Sequence, residues 1–193
     1  MNFIEIYDNA LSPQMCKSII EFFDKAPNEY LRAGTVGKIF NKGVIDKTHK
    51  DSTDLTLNFN NWTLPDTIIN TVLAKYLQNY KTKHPEIDDV VAPWQLTPRY
   101  NIQKYNPKQG YFYPHCENNG NLTRVLVWML YLNTVTDKGG TRFTNYDITT
   151  NAVEGRLVLW PAYWTHTHHG VVSPTQTKYI ATGWFECINQ TEV

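Results

Sequence analysis

The sequence predicts a mainly β domain, a double-sheet jelly roll or small barrel with helices packed outside it. Two amphipathic helical patterns lie in the first 84 residues, and from about residue 94 the pattern changes to short strands separated by turn clusters. The chain carries 6 Trp, 12 Tyr and 8 Phe, which favour sheets over helix bundles. Because 193 residues suffice for one core and are few for two, we expect a single domain over 1–193, with a helical support over about 1–93 and a jelly-roll core over about 94–188.

Two segments have the pattern of amphipathic helices. Residues 12–25 begin with a serine as candidate N-cap, followed by proline and by apolar residues at helical spacing. Residues 66–84 have an apolar face, with Asp66 at the start, and end before Pro85. Between the two helices, residues 34–54 are rich in glycine and lysine without a sustained period, so we expect an irregular segment with one short strand that closes over the site as a lid.

The C-terminal half has the pattern of a series of strands. They cover residues 94–105, 111–117, 123–133, 139–143, 155–160 and 177–188. The segment TRVLVWMLYLN, 123–133, is apolar on both faces, so we expect a central strand that is covered on each side.

Charge and composition argue against several classes of protein. The 18 basic and 18 acidic residues cancel, so we expect neither nucleic acid nor a membrane surface as a partner. No apolar run approaches the ~20 residues that a membrane span requires, and the N-terminus lacks the pattern of a signal peptide. Three cysteines without framework spacing are typical of reduced thiols. We therefore expect a cytoplasmic protein, of an oligomeric state that the sequence does not indicate.

A histidine and an acid stand two positions apart in YFYPHCENNG, residues 111–120. If this stretch is a strand, His115 and Glu117 project to the same face. The later stretch WTHTHHG, 164–170, offers three histidines as a third ligand. Two imidazoles and one carboxylate form the facial triad of non-haem Fe(II) oxygenases. An H-x-E triplet alone is common by chance, so the hypothesis depends on further features that occur with it.

Two further residues are predicted to lie near this site. His168 and Lys178 stand ten residues apart around a turn cluster near residue 173, so in an antiparallel hairpin they face each other. Tyr105 stands ten residues before His115 across another turn, and the same argument applies. A lysine in an otherwise apolar strand is costly to bury unless an anion meets it. Tyr105 is explained equally well as a core aromatic residue with a satisfied hydroxyl.

Four stretches of the sequence resemble, in order and spacing, the core motifs of a known family. KYNPKQGYFYPHCEN, LYLN, GGTRF and GRLVLWPAYWTHTHHGVVSPTQTKYIATGWF are similar to those of the Fe(II)/2-oxoglutarate-dependent oxygenases, in particular the prolyl 4-hydroxylase-like branch. NALSPQMCKSIIEFF resembles the opening helix of that branch, so the similarity extends from about residue 5 to 187 and is patchy between 30 and 95. The resemblance implies a double-stranded β-helix whose mouth binds Fe(II) and 2-oxoglutarate.

The resemblance also implies which side chains form the catalytic metal centre. The ligands are His115, Glu117 and a distal histidine, for which His166, His168 and His169 are the candidates. We prefer His168, which stands ten positions before Lys178 and opposite it in the expected hairpin; His169 has the nine-residue spacing, and His166 shares a strand face with His168. The family's acid is usually Asp, and Glu117 is one methylene longer, so either the iron shifts or the strand adjusts.

The co-substrate site and the reaction follow from the same resemblance. Lys178 binds the distal carboxylate of 2-oxoglutarate and Tyr105 donates a hydrogen bond to it; O₂ is the second co-substrate, and ascorbate is a candidate reductant. The implied activity is hydroxylation of an unactivated C–H bond, with peptidyl proline as the first substrate to consider and free amino acids or other small molecules as the second. The alternatives are a non-catalytic, cupin-like binding module and a zinc hydrolase, both of which leave Lys178 unexplained.

Other polar residues have simpler interpretations. Trp184 is a candidate for lining the pocket, although core packing explains it equally well. We expect buried thiols at Cys116 and Cys187 and solvent-exposed imidazoles at His49 and His84.

Overall fold

A computed structural model describes residues 1–38, 41–119 and 121–188 of the chain. The helices in this part are α1 (Pro13–Asp24), α2 (Leu64–Lys83) and α3 (Glu86–Asp89). The strands are β1 (Glu5–Tyr7), β2 (Leu31–Ala33), β3 (Val36–Lys38), β4 (Asn41–Val44), β5 (Lys50–Asp51), β6 (Thr53–Asn58), β7 (Trp94–Tyr105), β8 (Gly110–Tyr111), β9 (Arg124–Tyr131), β10 (Thr141–Phe143), β11 (Ile148–Thr150), β12 (Leu157–Pro161), β13 (His168–Gly170) and β14 (Lys178–Cys187).

Capping residues set the starts of the two long helices. The Ser12 side chain accepts a hydrogen bond from the Met15 backbone N–H at 3.3 Å, and a proline occupies the first turn of α1. At α2, the Asp66 carboxylate accepts the Thr63 backbone N–H at 2.7 Å. This contact places the start of α2 two residues before the predicted one, and Pro85 follows its end.

Two antiparallel sheets form the jelly roll, which confirms the predicted fold class. The major sheet has seven strands in the order β1-β12-β9-β14-β7-β6-β2, and the minor sheet has the order β11-β10-β13. The helices α1 and α2 pack on one face of the major sheet, and the minor sheet covers part of the other face. Within the described residues, no helix is long and apolar enough to cross a membrane.

The central strand β9 is buried on both faces, as its sequence predicts. Leu126, Trp128 and Leu130 belong to the core shared with the helices. Val127 and Met129 belong to the core between the two sheets. Alternation along one strand therefore divides the interior into a helical side and a side that faces the minor sheet.

Three expectations about local structure are wrong. Residues 34–54 contain parts of β3 to β6, more strand than expected, although residues 39 and 40 lie outside the described part. The predicted strand 111–117 is reduced to β8, because Pro114 has no N–H for a ladder and the N–H groups of Glu117 and Asn118 donate to the Ala162 carbonyl instead.

The third wrong expectation is the hairpin that would pair His168 with Lys178. β13 pairs with β10, so His168 lies opposite Phe143 in the minor sheet. β14 pairs with β7 and β9, and Lys178 lies opposite Tyr105 in the major sheet. The segment between β13 and β14 crosses from one sheet to the other, and periodicity within a strand cannot reveal such a crossing.

Candidate metal centre and cavity

His115, Glu117 and His168 come together at the mouth of the jelly roll. His115 and His168 exchange two backbone hydrogen bonds of 2.9 Å as an isolated β-bridge, which joins the stretch after β8 to the minor sheet. Glu117 begins a short 3-10 helix, Glu117–Asn119. Its Oε1 atom lies 3.4 Å from His115 Nε2 and 3.3 Å from His168 Nε2. The three ligand atoms all lie within 4.8 Å of one another.

Backbone carbonyls determine which nitrogen of each imidazole faces the centre. His115 Nδ1 lies 3.0 Å from the Tyr113 carbonyl oxygen, and His168 Nδ1 lies 2.9 Å from that of His166. A carbonyl only accepts hydrogen bonds, so in the neutral rings Nδ1 carries the proton and Nε2 presents its lone pair. Backbone contacts of this kind orient metal-binding histidines in proteins.

The electrostatics of the three side chains favour a cation between them. Burial, and then the neighbouring His168, lower the pKa of His115. Burial alone would raise the pKa of Glu117, but His115 and His168 hold it well below its usual range. Two lone pairs and one carboxylate oxygen thus face a common point. Ligands at about 2.1 Å and at right angles to one another lie about 3 Å apart, close to the 3.4 and 3.3 Å between Glu117 Oε1 and the two Nε2 atoms, so the site fits a divalent metal ion.

The outer oxygen of Glu117 is held by residues of the major sheet. Trp184 Nε1 donates to Glu117 Oε2 at 2.8 Å. Arg124 Nη1 lies 3.5 Å from the same oxygen and donates to the Glu117 backbone carbonyl at 3.1 Å. The guanidinium of Arg124 also stacks on the Trp184 ring, 3.6 Å from its centroid. These contacts turn Oε1 alone toward the histidines.

Aromatic neighbours fix the planes of the two imidazoles. Tyr111 stacks on His115 with ring centroids 3.6 Å apart and planes within 11°. Trp160 approaches His168 edge-on, with centroids 5.1 Å apart. Both histidine rings therefore have little rotational freedom.

Lys178 lies in the same cavity as the three candidate ligands. Its side chain is buried, and its Nζ donates to the Gly139 carbonyl at 3.0 Å, the one acceptor that the described residues provide. Burial lowers the pKa of Lys178 to about 8. An ammonium has three N–H donors, so two remain for a ligand. A buried cation with free donors fits the distal carboxylate of 2-oxoglutarate.

Tyr105 lines the cavity beside Lys178, but its hydroxyl has a partner. The Tyr105 O–H donates to Gln103 Oε1 at 2.7 Å, and Gln103 Nε2 donates to Asp54 Oδ2 at 3.2 Å. Asp54 also accepts Lys50 Nζ at 2.7 Å. To donate a hydrogen bond to the carboxylate of 2-oxoglutarate, the Tyr105 hydroxyl would have to give up its bond to Gln103. The Tyr105 ring contacts Lys178 Nζ, which lies 4.9 Å from the ring centroid.

The other candidate distal ligands are outside the centre. His166 Nε2 contacts the Asn2 carbonyl at 2.7 Å, and its Nδ1 contacts Thr165 Oγ1 at 2.9 Å, so both ring nitrogens are engaged elsewhere. His169 is next to His168 on β13 and therefore faces the opposite side of that strand.

Two expectations about isolated side chains are corrected by the structure. His84 is buried, because it ends α2 between the rings of Phe3 and Tyr80 and contacts Glu5 at 3.0 Å. Cys116 and Cys187 are half-buried and not part of the apolar core.

Sequence reasoning missed Arg124 and left Trp184 undecided. Alternate residues of β14 line the cavity from Lys178 to Glu186, so Trp184 could have been placed on the face of Lys178 by counting in twos. Arg124 had no such signal, because it stands at the first position of the apolar strand β9.

Comparisons with known proteins agree with the geometry of this centre. Residues 100–186 match the model of the 2OG-Fe(II) oxygenase superfamily, a span that contains His115, Glu117, His168 and Lys178. No curated protein matches the chain at a significant level of sequence similarity.

Solved structures share the fold at low sequence identity. A viral collagen prolyl hydroxylase from Paramecium Bursaria Chlorella virus-1 has a TM-score of 0.69 at 17% identity, with 97% of each chain covered. A Pseudomonas putida prolyl-4-hydroxylase has 0.71 at 15% identity, covering 98% of this chain and 95% of the other. A prolyl hydroxylase from Trichoplax adhaerens, solved with a hypoxia inducible factor peptide fragment, has 0.73 at 14%, covering 96% and 84%.

Proposed function

We propose that this chain is a member of the 2OG-Fe(II) oxygenase superfamily, whose model its residues 100–186 match, and that it hydroxylates an unactivated C–H bond in a peptidyl proline. The observation that carries the proposal is the convergence of two Nε2 atoms and one carboxylate oxygen within 4.8 Å of one another, in a cavity that also contains a buried lysine. A metal-binding module without turnover has no need of that lysine.

We assign the metal ligands to His115, Glu117 and His168. Three protein ligands on one side of an octahedral ion leave three positions for co-substrates. Bound Fe(II) with 2-oxoglutarate supplies the oxidising chemistry through O₂ activation and decarboxylation of the co-substrate. The residues of the chain hold the ion at one place, and the Trp184 N–H keeps the second oxygen of Glu117 away from the open positions.

We assign the recognition of 2-oxoglutarate to Lys178, with Tyr105 beside it. The ammonium is buried, and in such a low-dielectric place a charge-assisted hydrogen bond to a carboxylate is strong. Tyr105 packs its ring against the ammonium and shares its hydroxyl with Gln103. The pair thus orients the co-substrate with its keto acid end toward the metal centre.

Peptidyl proline is the proposed substrate for two reasons. The three structural relatives described above are prolyl hydroxylases, and one was solved with a peptide. The cavity, of about 720 Å³, is larger than a free amino acid and 2-oxoglutarate together require.

Anaerobic titration of the metal-free protein with Fe(II) and then 2-oxoglutarate tests the activity. We expect a weak visible charge-transfer band in the wild type, and no band in His115→Ala or His168→Ala. His169→Ala is the matched control from the same histidine cluster and should keep the band. A band that survives unchanged in His115→Ala, or no band at saturating co-substrate in the wild type, overturns the proposed function.

A further inference from the structure

The cavity extends beyond the metal centre along the whole length of two paired strands. Alternate residues from Lys178 to Glu186 on β14, and from Thr97 to Tyr105 on β7, line it. Eight residues of strand correspond to roughly 26 Å at about 3.3 Å per residue. Free amino acids are far shorter than this, whereas an extended polypeptide segment of about eight residues matches it.

The wall of this cavity has an excess of positive charge, although the chain as a whole is neutral. Five basic side chains and three carboxylates line it. Asp54 is paired with Lys50 at 2.7 Å, and Glu186 faces Arg124 Nε at 3.5 Å. The third carboxylate is the candidate ligand Glu117, so the acidic groups are already neutralised or assigned.

Two arginines of the cavity, Arg32 and Arg99, remain without an acidic partner among the described residues. Arg32 is exposed on β2, and its Nη1 contacts only the adjacent Leu31 carbonyl at 2.9 Å. Arg99 is exposed on β7 and forms no ion pair with a described residue. Both guanidinium groups are therefore available to a bound molecule.

The strand register places the two arginines far from each other on the cavity wall. Tyr100 lies opposite Gly183, so Arg99 is about one strand spacing from Trp184, whose indole contacts Glu117. Arg32 on β2 lies opposite Asp54 on β6, and β6 pairs with β7, so Arg32 is two strands away from β7. Asp54 pairs with Gln103, four residues from Arg99 on β7, so at about 4.8 Å per strand and about 3.3 Å per residue the two arginines are roughly 16 Å apart. A single phosphate cannot bridge groups so far apart, which favours two separate carboxylates.

We propose that this cavity binds an extended polypeptide with acidic side chains, and that Arg99 and Arg32 determine this specificity. Arg99 recognises an Asp or Glu next to the reacting residue or one further along. Arg32 recognises a second acidic residue about five positions from the first, because an extended chain advances about 3.3 Å per residue and the two arginines are roughly 16 Å apart. This inference rests on the proposed function, since it takes the metal centre as the place of reaction.

Three synthetic twelve-residue peptides with one central proline provide the test. Their flanking positions carry Glu, Gln or Lys, and they are otherwise identical. Binding is measured by calorimetry with the Mn(II) and 2-oxoglutarate complex, and hydroxylation by a 16 Da mass increase with Fe(II). We expect the Glu peptide to bind best, and its affinity to fall with salt.

Arginine variants assign the preference to particular residues. Arg99→Gln and Arg32→Gln should each weaken binding of the Glu peptide by about threefold to fivefold at low salt and leave the Gln peptide unaffected. Arg142→Gln is the matched control, because Arg142 lies on the minor sheet and pairs with Asp147. The binding of 2-oxoglutarate should be unchanged in all three variants.

The outcomes separate the two proposals. Equal affinity for the Glu and Gln peptides, including no measurable binding of either, overturns the acidic specificity while the charge-transfer titration with 2-oxoglutarate still supports the oxygenase. An equal loss in the Arg142→Gln control also overturns it. Failure of 2-oxoglutarate to bind the wild-type metal complex instead overturns the proposed function.

Discussion

The hydrogen bond from Trp184 to Glu117 should set the metal affinity of the site. Replacing Trp184 with Phe removes an N–H donor 2.8 Å from Oε2 and keeps an aromatic ring on which Arg124 can stack. The remaining donor, Arg124 Nη1, is 3.5 Å away, too long for a strong hydrogen bond. Glu117 Oε2 is then free to rotate toward the metal or into the cavity.

The expected loss follows from the strength of that bond. Hydrogen bonds to charged groups contribute roughly 1.5–3 kcal/mol, and substitutions of residues that orient metal ligands typically weaken metal binding by about 10-fold to 100-fold. We therefore expect Trp184→Phe to raise the dissociation constant for Mn(II) by about 10-fold to 100-fold. The Glu117→Asp variant should show the same direction of change, because the shorter side chain cannot reach the indole and the histidines together.

Isothermal titration calorimetry of the metal-free proteins with Mn(II) measures this effect. Trp94→Phe is the matched control: Trp94 packs edge-on against Phe185 on the helical face of the major sheet, outside the cavity. Thermal unfolding checks that both variants are folded. An affinity for Mn(II) within twofold of the wild type in a folded Trp184→Phe protein would refute the role of this contact.

Three further outcomes are expected. Lys178→Met should weaken 2-oxoglutarate binding at least about 30-fold in calorimetry, because a buried carboxylate loses its charged partner, and should leave Mn(II) affinity unchanged. Burial lowers the pKa of Lys178 to about 8, and only the ammonium form binds a carboxylate. The affinity for 2-oxoglutarate should therefore be constant below pH 8 and fall about tenfold per pH unit above it. An affinity that stays constant up to pH 10 contradicts this. Tyr100→Phe removes the 2.6 Å hydrogen bond to the buried Asp66 and should lower the free energy of unfolding by about 1–3 kcal/mol without changing the metal affinity. A loss of metal binding in this variant would contradict the separation of the helical core from the site.

The alternation of side chains made part of this fold predictable. The strand 123–133 is apolar at both even and odd positions, and the structure covers β9 on both faces. On β14, the side chains at every second position from Lys178 to Trp184 line the cavity, which follows from the same alternation. Burial on a face is a local property of a strand, and therefore it can be read from one segment.

The pairing of strands was not predictable in the same way. The expected hairpins would place His168 opposite Lys178 and Tyr105 opposite His115. In the structure the opposite pairs are His168 with His115 and Lys178 with Tyr105. The same four side chains nevertheless line one cavity. Each observed pair joins residues from two distant segments, and the pattern within one segment does not specify which other segment it pairs with.

The surroundings of Glu117 were also not predictable from the sequence. The expectation for Glu117 was that either the iron or the strand adjusts to the extra methylene. The strand is absent at this point: Pro114 precedes it, and a 3-10 helix presents the carboxylate between the histidines and the major sheet. The additional length lets one carboxylate reach both His168 and Trp184.

Anomalous diffraction from crystals grown with Mn(II) and 2-oxoglutarate under anaerobic conditions tests the central claim most directly. We predict a single metal peak about 2.0–2.3 Å from His115 Nε2, His168 Nε2 and Glu117 Oε1, with the distal carboxylate of 2-oxoglutarate on Lys178 Nζ. A metal peak that lacks any one of these three ligands, or a co-substrate whose carboxylate lies away from Lys178, would contradict it.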